Sequence, residues 1–264
     1  MKLPFSKLHG AGNDFIFIDI RSNNLNLDKN QITKLCHRRN GIGADGVVFF
    51  NTSDQYDFIM HYYNADGSLG SLCGNAARCA VAFAYSLGIE KESYNFKAID
   101  GVHSGKILQH TNQNWTISID MKDIDEDKVI RHGDNFFINT GSPHHIEFVT
   151  EVDNIDVISK GKAIRYSTQY QPAGTNVNFA SFDKNNIKIR TYERGVENET
   201  LACGTGVTAV AVATAILKNK KQAAYKIKAR GGDLMVSFTK EKSQFTKITL
   251  IGPVAFVYSG VIAV

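Results

Sequence analysis

Two long, alanine-rich, proline-free segments, each entered through the same local pattern, constrain the fold more than anything else in this sequence. Residues 74–87 (GNAARCAVAFAYSL) and 204–217 (GTGVTAVAVATAIL) have the composition and length of helices. Each is apolar on nearly every side, so each must be buried all round. Each also follows a strand-like stretch, a polar loop and a cysteine-glycine pair. In the first half Tyr62-Tyr63-Asn64 leads to Leu72-Cys73-Gly74, and the strand end precedes the cysteine by nine residues. In the second half Thr191-Tyr192-Glu193-Arg194 leads to Ala202-Cys203-Gly204, with a gap of ten. The repetition predicts an α+β fold of two similar halves, each a sheet wrapped around one central helix.

The rest of the chain fits that picture. Strand-like runs fall at 15–20, 47–50, 58–63, 115–119, 176–182, 187–192, 234–238 and 248–251. They are β-branched or aromatic and are bounded by Gly, Asn and Asp. Shorter polar helices are expected at 29–38 and 154–163. Hydrophobic residues make up 43% of the 264, enough for packed cores, and no low-complexity segment or long linker interrupts them. A net charge of +4 is too mild for nucleic-acid binding, and no basic block or aromatic-basic interleaving supports it. The N-terminal residues lack the apolar core of a signal peptide. The uncharged stretch 201–217 has 17 residues and falls short of the ~20 of a membrane helix, so no membrane association is expected. The four cysteines, Cys36, Cys73, Cys79 and Cys203, show no disulfide-rich spacing, and none has CxxC spacing. Reduced thiols in the cytoplasm and no metal site are the expected reading.

The cysteine-glycine-helix element carries chemistry. A cysteine just ahead of a helix sits beside unpaired backbone N–H groups and the positive end of the helix dipole, which favours a thiolate able to act as a base. Gly74 and Gly204 let a ligand approach the backbone, and the same N–H groups can hold a carboxylate. Two such elements suit the inversion of a carbon acidified by a carboxylate: one thiolate removes a proton from one face and a thiol delivers another to the opposite face. That scheme needs neither cofactor nor metal. Cys36 and Cys79 fall within helical patterns and read as small buried hydrophobes. Gly204-Thr205-Gly206 lacks the lysine of a phosphate loop.

With these residues in view, the sequence resembles diaminopimelate epimerases over essentially its full length. Six spaced blocks carry the resemblance, in order. They are His9-Gly10-Ala11-Gly12-Asn13-Asp14-Phe15, Gly41-Ile42-Gly43-Ala44-Asp45-Gly46, Asn64-Ala65-Asp66-Gly67-Ser68, Cys73-Gly74-Asn75-Ala76-Ala77-Arg78, Tyr192-Glu193-Arg194-Gly195 and Ala202-Cys203-Gly204-Thr205-Gly206. Gly252-Pro253 near the C-terminus also fits. The resemblance implies interconversion of LL- and meso-2,6-diaminopimelate in lysine and peptidoglycan-precursor synthesis, without pyridoxal phosphate, by a homodimer. It implies catalytic roles for Cys73 and Cys203 and supporting roles for His144 and Glu193. It implies substrate binding by Asn13, Asn64, Gly74, Asn75, Asn176, Glu193, Arg194, Gly204 and Thr205. The implied fold is a pair of β-barrels, each around a central helix, with the active site between them. The first domain spans 1–118 with a returning strand at 253–264, and the second spans 119–252.

Two departures stand out. Ser142, in Gly141-Ser142-Pro143-His144, takes the place of a substrate-binding Asn and offers one hydroxyl where an amide is usual. Gly46 stands where some members have a Gln. Taken singly, Asn13, Asn64 and Asn176 read as turn residues, Glu193 with Arg194 as a surface ion pair, and His9, His144 and His145 as solvated loop residues. Three other functions remain open on the residues alone: a proline or hydroxyproline racemase, a non-catalytic binding protein on the same fold, and a thiol redox protein. The first has no distal amino-acid end to hold. Glu193, Arg194 and the Asn set would hold one. The last would show CxxC.

Overall fold

The computed structural model describes residues 2–22, 25–70, 72–183 and 186–264. The chain divides into two compact units, Met1–Ile119 with Gly252–Val264, and Asp120–Ile251. The first carries strands β1 (Lys2–Gly10), β2 (Asn13–Asp19), β3 (Gly46–Asn51), β4 (Phe58–Asn64), β5 (Ser93–Ala98), β6 (Gly101–Thr111) and β7 (Asn114–Asp120), with helices α1 (Lys29–Cys36) and α2 (Gly74–Ser86). Each of these strands pairs with the next, from β1 to β7. β7 pairs with residues 252–255 of the final strand, whose residues 254–263 pair back onto β1. The eight strands therefore close into a barrel without a free edge.

The pairs β2–β3 and β4–β5 are parallel, and parallel neighbours need a crossover. α1 supplies the first from outside the barrel and α2 the second from inside it. The sequence of β2, Phe15-Ile16-Phe17-Ile18, shows why. Phe15 and Phe17 point into the cluster around α2. Ile16 and Ile18 point the other way, into a second cluster under α1 with Ile32, Leu35 and Cys36. A strand buried on both faces is continuously apolar. α2 fits inside because Ala76, Ala77, Ala80, Ala82 and Ala84 are small on every side. Phe50, Phe58 and Phe96 fill the remaining space, with ring centroids 4.9 and 4.8 Å apart.

The second unit repeats this plan. Its strands are β8 (Ile124–Asp125), β9 (Ile130–His132), β10 (Asn135–Asn139), β11 (Pro143–Phe148), β12 (Asn176–Asp183), β13 (Asn186–Glu193), β14 (Asn198–Thr200), β15 (Gln222–Ala229), β16 (Gly232–Glu241) and the first part of β17 (Gln244–Ala263). Its helices are α3 (Val157–Arg165) and α4 (Gly204–Leu217). From β10 the order runs β10–β11–β12–β13–β15–β16–β17–β8, with β11–β12 and β13–β15 parallel and the rest antiparallel. That is the alternation of the first unit, step for step. β8 and β9 together occupy the eighth place, one pairing with β17 and the other with β10. α3 covers β12 and β13 from outside, with Val157 against Val177, Phe179 and Tyr192. α4, buried along Gly206 to Ala215, packs on β10, β11, β12, β15 and β16. In each unit the seventh strand runs on in the chain to become the eighth strand of the other. Among the described residues, no helix is long and apolar enough to cross a membrane.

Candidate active site

Cys73 and Cys203 occupy the same place in the two units. Each is the N-cap of its central helix, with extended backbone (φ −96°, ψ 117° and φ −116°, ψ 108°), and neither side chain caps the helix. The carbonyl of each accepts the first helical hydrogen bond, from Ala77 N at 2.8 Å and Val207 N at 2.9 Å. The thiols thus stand at the positive ends of two buried helices, where a negative charge gains up to ~2 kcal/mol. Cys73 is half-buried and Cys203 is 8% exposed. The other two cysteines are sealed in cores. Burial pushes the Cys36 thiol up to about 12 and raises that of Cys79 further, so both stay protonated at neutral pH.

Around Cys73 the first two sequence blocks converge on the first turn of α2. Asn75 Nδ2 donates to Asn13 Oδ1 at 2.6 Å, and Asn13 Nδ2 donates to Asp45 Oδ2 at 3.0 Å. Asp45 and Asp14 are held by Arg38, at 2.7 and 2.8 Å, and Lys7 pairs with Asp14 at 2.9 Å. Burial alone would raise the Asp14 carboxyl, but hydrogen bonds and charge from Arg38 and Lys7 outweigh it and hold it down to about 2. On the helix side, Arg78 Nη2 donates to Asn75 Oδ1 at 2.5 Å. Arg78 is completely buried, and its Nε and Nη1 have no hydrogen-bond partner among the described residues. Asn64 lies apart from this chain of contacts, bonded to Ser68 through both backbone and side chain.

Around Cys203 the arrangement is different in kind. Thr205 Oγ1 lies 3.4 Å from the Cys203 sulfur, and Thr140 Oγ1 donates to the Thr205 carbonyl at 3.0 Å. His144 is fully buried and packs on this turn; a Cβ on Gly206 would lie 3.3 Å from its ring. Burial, with Arg194 adding to it, pushes His144 down to about 3 against the effect of Asn178, so the imidazole is neutral. Its tautomer follows from Asn178. The Asn178 amide nitrogen donates to the His145 carbonyl at 2.9 Å, and its oxygen accepts from Thr191 Oγ1 at 3.0 Å. The nitrogen's contact with His144 Nδ1, at 3.1 Å, is therefore a donation. Nδ1 is the acceptor, and the proton sits on Nε2, which has no partner among the described residues.

The remaining residues fall at strand ends of the second unit. Asn176 spans two of them, donating to the Pro143 carbonyl at 3.0 Å and accepting from Arg194 N at 2.8 Å. The Arg194 guanidinium donates to the Ala173 carbonyl at 3.2 Å. Glu193 ends β13, paired with Asn198. Ser142 forms part of the turn before His144, its carbonyl accepting from Thr140 N. The loop reading of three histidines is corrected: His9 lies in β1, and His144 and His145 lie buried in β11. Two residues escaped the sequence reading as site groups. Arg78 closes the Cys73–Arg78 block and falls in a segment expected to be buried all round, so a charge at that position is itself the signal. Asn178, two residues after Asn176 and so on the same face of β12, could have been found from period-two spacing. Gly46 also has a local cause: a Cβ there would meet the Tyr62 ring at 2.5 Å and the Tyr63 carbonyl at 2.4 Å.

The diaminopimelate epimerase family model matches residues 5–123 and 136–257. The diaminopimelate epimerase of Flavobacterium psychrophilum is 46% identical over 257 residues, covering 96% of this chain and 97% of that protein. Among solved structures, a PhzF-family phenazine biosynthesis protein of Bacillus anthracis superposes with a TM-score of 0.77 at 14% identity, with both chains fully covered. A hydroxyproline epimerase from Agrobacterium vitis superposes at 0.74 with 12% identity, covering 100% of this chain and 93% of that one. At such identities the structural likenesses speak for the fold alone. The full-length sequence match, together with paired N-cap cysteines in two repeated barrels, places the chain in the diaminopimelate epimerase family.

Proposed function

We propose that this chain interconverts LL- and meso-2,6-diaminopimelate by a two-base proton transfer, with Cys73 and Cys203 on opposite faces of the substrate α-carbon. The observation that carries the reading is the matched pair of N-cap cysteines, one on the buried central helix of each repeat. In one direction a thiolate takes the α-proton and becomes a thiol, while the other thiol gives its proton to the opposite face and becomes a thiolate. The enzyme therefore ends each turnover with its protonation reversed, and thiol chemistry alone balances the protons. Negative charge building on the substrate carboxylate is met by first-turn N–H groups at Gly74, Asn75, Gly204 and Thr205. Glu193 is assigned to the substrate ammonium and Arg194, by its planar fork, to the carboxylate of the end that is not inverted. Asn13, Asn64 and Asn176 complete the substrate-binding set, and the His144 Nε2–H supports the Cys203 side as a donor. A cytoplasmic homodimer belongs to the same reading, and the four free thiols favour a reducing compartment. The test is turnover of purified protein on LL-diaminopimelate, L-proline and trans-4-hydroxy-L-proline. Conversion of diaminopimelate alone is expected; conversion of an imino acid without diaminopimelate would overturn the substrate assignment.

A further inference from the structure

The two cysteine elements match in backbone but not in charge. Five residues beyond Cys73 stands Arg78; five beyond Cys203 stands Thr208, whose hydroxyl bonds back to the Gly204 carbonyl at 3.0 Å. Arg78 is the one charged residue of α2. Side chains on a helix lean toward its N-terminus, and the bond from Arg78 to Asn75, three residues earlier, shows that this one does. Its guanidinium is thus directed back toward the turn that begins at Cys73.

A buried guanidinium with no carboxylate beside it is costly to keep. No salt bridge of Arg78 is found among the described residues, and two of its three nitrogens have no hydrogen-bond partner there. Burial lowers it to about 10, leaving it cationic at neutral pH, and the groups that act on it in the opposite sense are the thiols of Cys79 and Cys73. Cys79 is sealed in the core and stays protonated. That leaves Cys73 as the anion such a cation can serve. We propose that Arg78 is a positioning residue that holds Cys73 as the resting thiolate, so that the free enzyme carries its negative charge on Cys73 and its proton on Cys203.

This goes beyond the two-base reading by assigning the resting protonation state, and it rests on that reading only for its use in turnover. The other titratable groups on strands packed against α2 are Lys2, Lys7 and His9 on β1, Asp14 and Asp19 on β2, His61, Tyr62 and Tyr63 on β4, and His103, Lys106 and His110 on β6. Lys7 is paired with Asp14, and His103 with Asp100. Arg78 alone carries its charge on the helix itself.

The test reads thiol ionisation directly, apart from catalysis. The intact enzyme without substrate is alkylated with iodoacetamide across a pH series, and labelled peptides containing Cys73 and Cys203 are quantified by mass spectrometry. In the unmodified enzyme the midpoint for Cys73 is expected about one pH unit or more below that for Cys203. Arg78→Met should raise the Cys73 midpoint by about one unit and leave that of Cys203 in place. Arg78→Lys, which keeps the charge, should restore the low midpoint while raising KM through loss of the Asn75 bond. Equal midpoints in the unmodified enzyme, or a lower one for Cys203, would overturn the proposal even if no Arg78 variant folds. So would an unchanged Cys73 midpoint in folded Arg78→Met. Failure to turn over diaminopimelate with the thiol asymmetry intact would instead overturn the function and leave this assignment standing.

Discussion

The first turn of α2 and the first turn of α4 have the same backbone and opposite polar support. Beneath Cys73 lies a buried cation, Arg78, at the end of a relay through Asn75 and Asn13 to Asp45. Against the turn of Cys203 lies a buried neutral imidazole, its tautomer fixed by Asn178. Duplication supplies two equivalent frames, and the frame alone would make the two thiols alike. A difference between the frames biases which of two otherwise equivalent thiols rests ionised. The difference sits in side chains one turn or one strand away from the cysteines, where it changes charge without moving the backbone.

The largest effect that would break this comparison is loss of either thiol. Cys73→Ser and Cys203→Ser are each expected to lower kcat by about 10³-fold or more, since a serine hydroxyl is rarely ionised at neutral pH. Near-normal steady-state turnover in either variant would show that the two elements do not act as a pair. Acid should separate the units next. His144 and His145 sit below the usual 6.5, at about 3 and about 4, chiefly through burial. The unfolded chain therefore binds protons below pH 6.5 that the folded second unit refuses. Its stability is full above that pH and falls as pH drops through the window, by ~3 kcal/mol at pH 4 from His144 alone. Asp14, held at about 2, gives the first unit a contribution that is full above the unfolded value near 3.8 and is lost only below it. Hydrogen exchange at pH 4.5 should find the second barrel losing protection first; equal loss in both would contradict this.

A smaller effect sharpens the role of the imidazole. With its proton on Nε2, His144 acts as a donor, so His144→Gln, which can donate, should lose about 10-fold in kcat and His144→Leu about 100-fold. Equal losses would point to a proton acceptor. Arg194→Lys keeps charge but not the planar fork, and KM for diaminopimelate should rise about tenfold. An unchanged KM would remove Arg194 from substrate binding. Smallest of all, Cys36→Ser and Cys79→Ser should leave kcat within about twofold while costing ~1–3 kcal/mol of stability, because each places a hydroxyl in an apolar core. Urea titration with activity assays on the same samples reads both numbers.

The repeat was legible because its signals are local. The apolar, alanine-rich helices at 74–87 and 204–217 appear as α2 and α4 within a residue, and a cysteine-glycine pair marks each start. The 29–38 helix stops at Cys36, and the 154–163 helix begins three residues later, at Val157, where Asp156 caps it. Barrel closure was not readable from periodicity, since β2 and β3 are buried on both faces and show no alternation. The exchange of eighth strands depends on pairings such as Gly252 with Ile117, far apart in sequence. At the site, Asn13 taken singly reads as a turn residue and Asn75 as the start of a helix, and only the fold brings them within a hydrogen bond. The buried state of His144 was hidden for the same reason: polarity in a sequence reads as surface unless something outside the segment seals it.

The two-base claim is tested most directly by the fate of the α-hydrogen in deuterium oxide. LL-diaminopimelate is incubated with enzyme pre-equilibrated in deuterated buffer and sampled at low conversion. If one thiolate removes the proton and a different thiol delivers from the other face, the meso product carries one deuterium at the inverted carbon. The recovered LL substrate retains its hydrogen, because the abstracted proton stays on the cysteine facing it. Product that keeps the original hydrogen, or recovered substrate that gains deuterium as fast as product forms, would mean a single base serves both faces and would contradict the account.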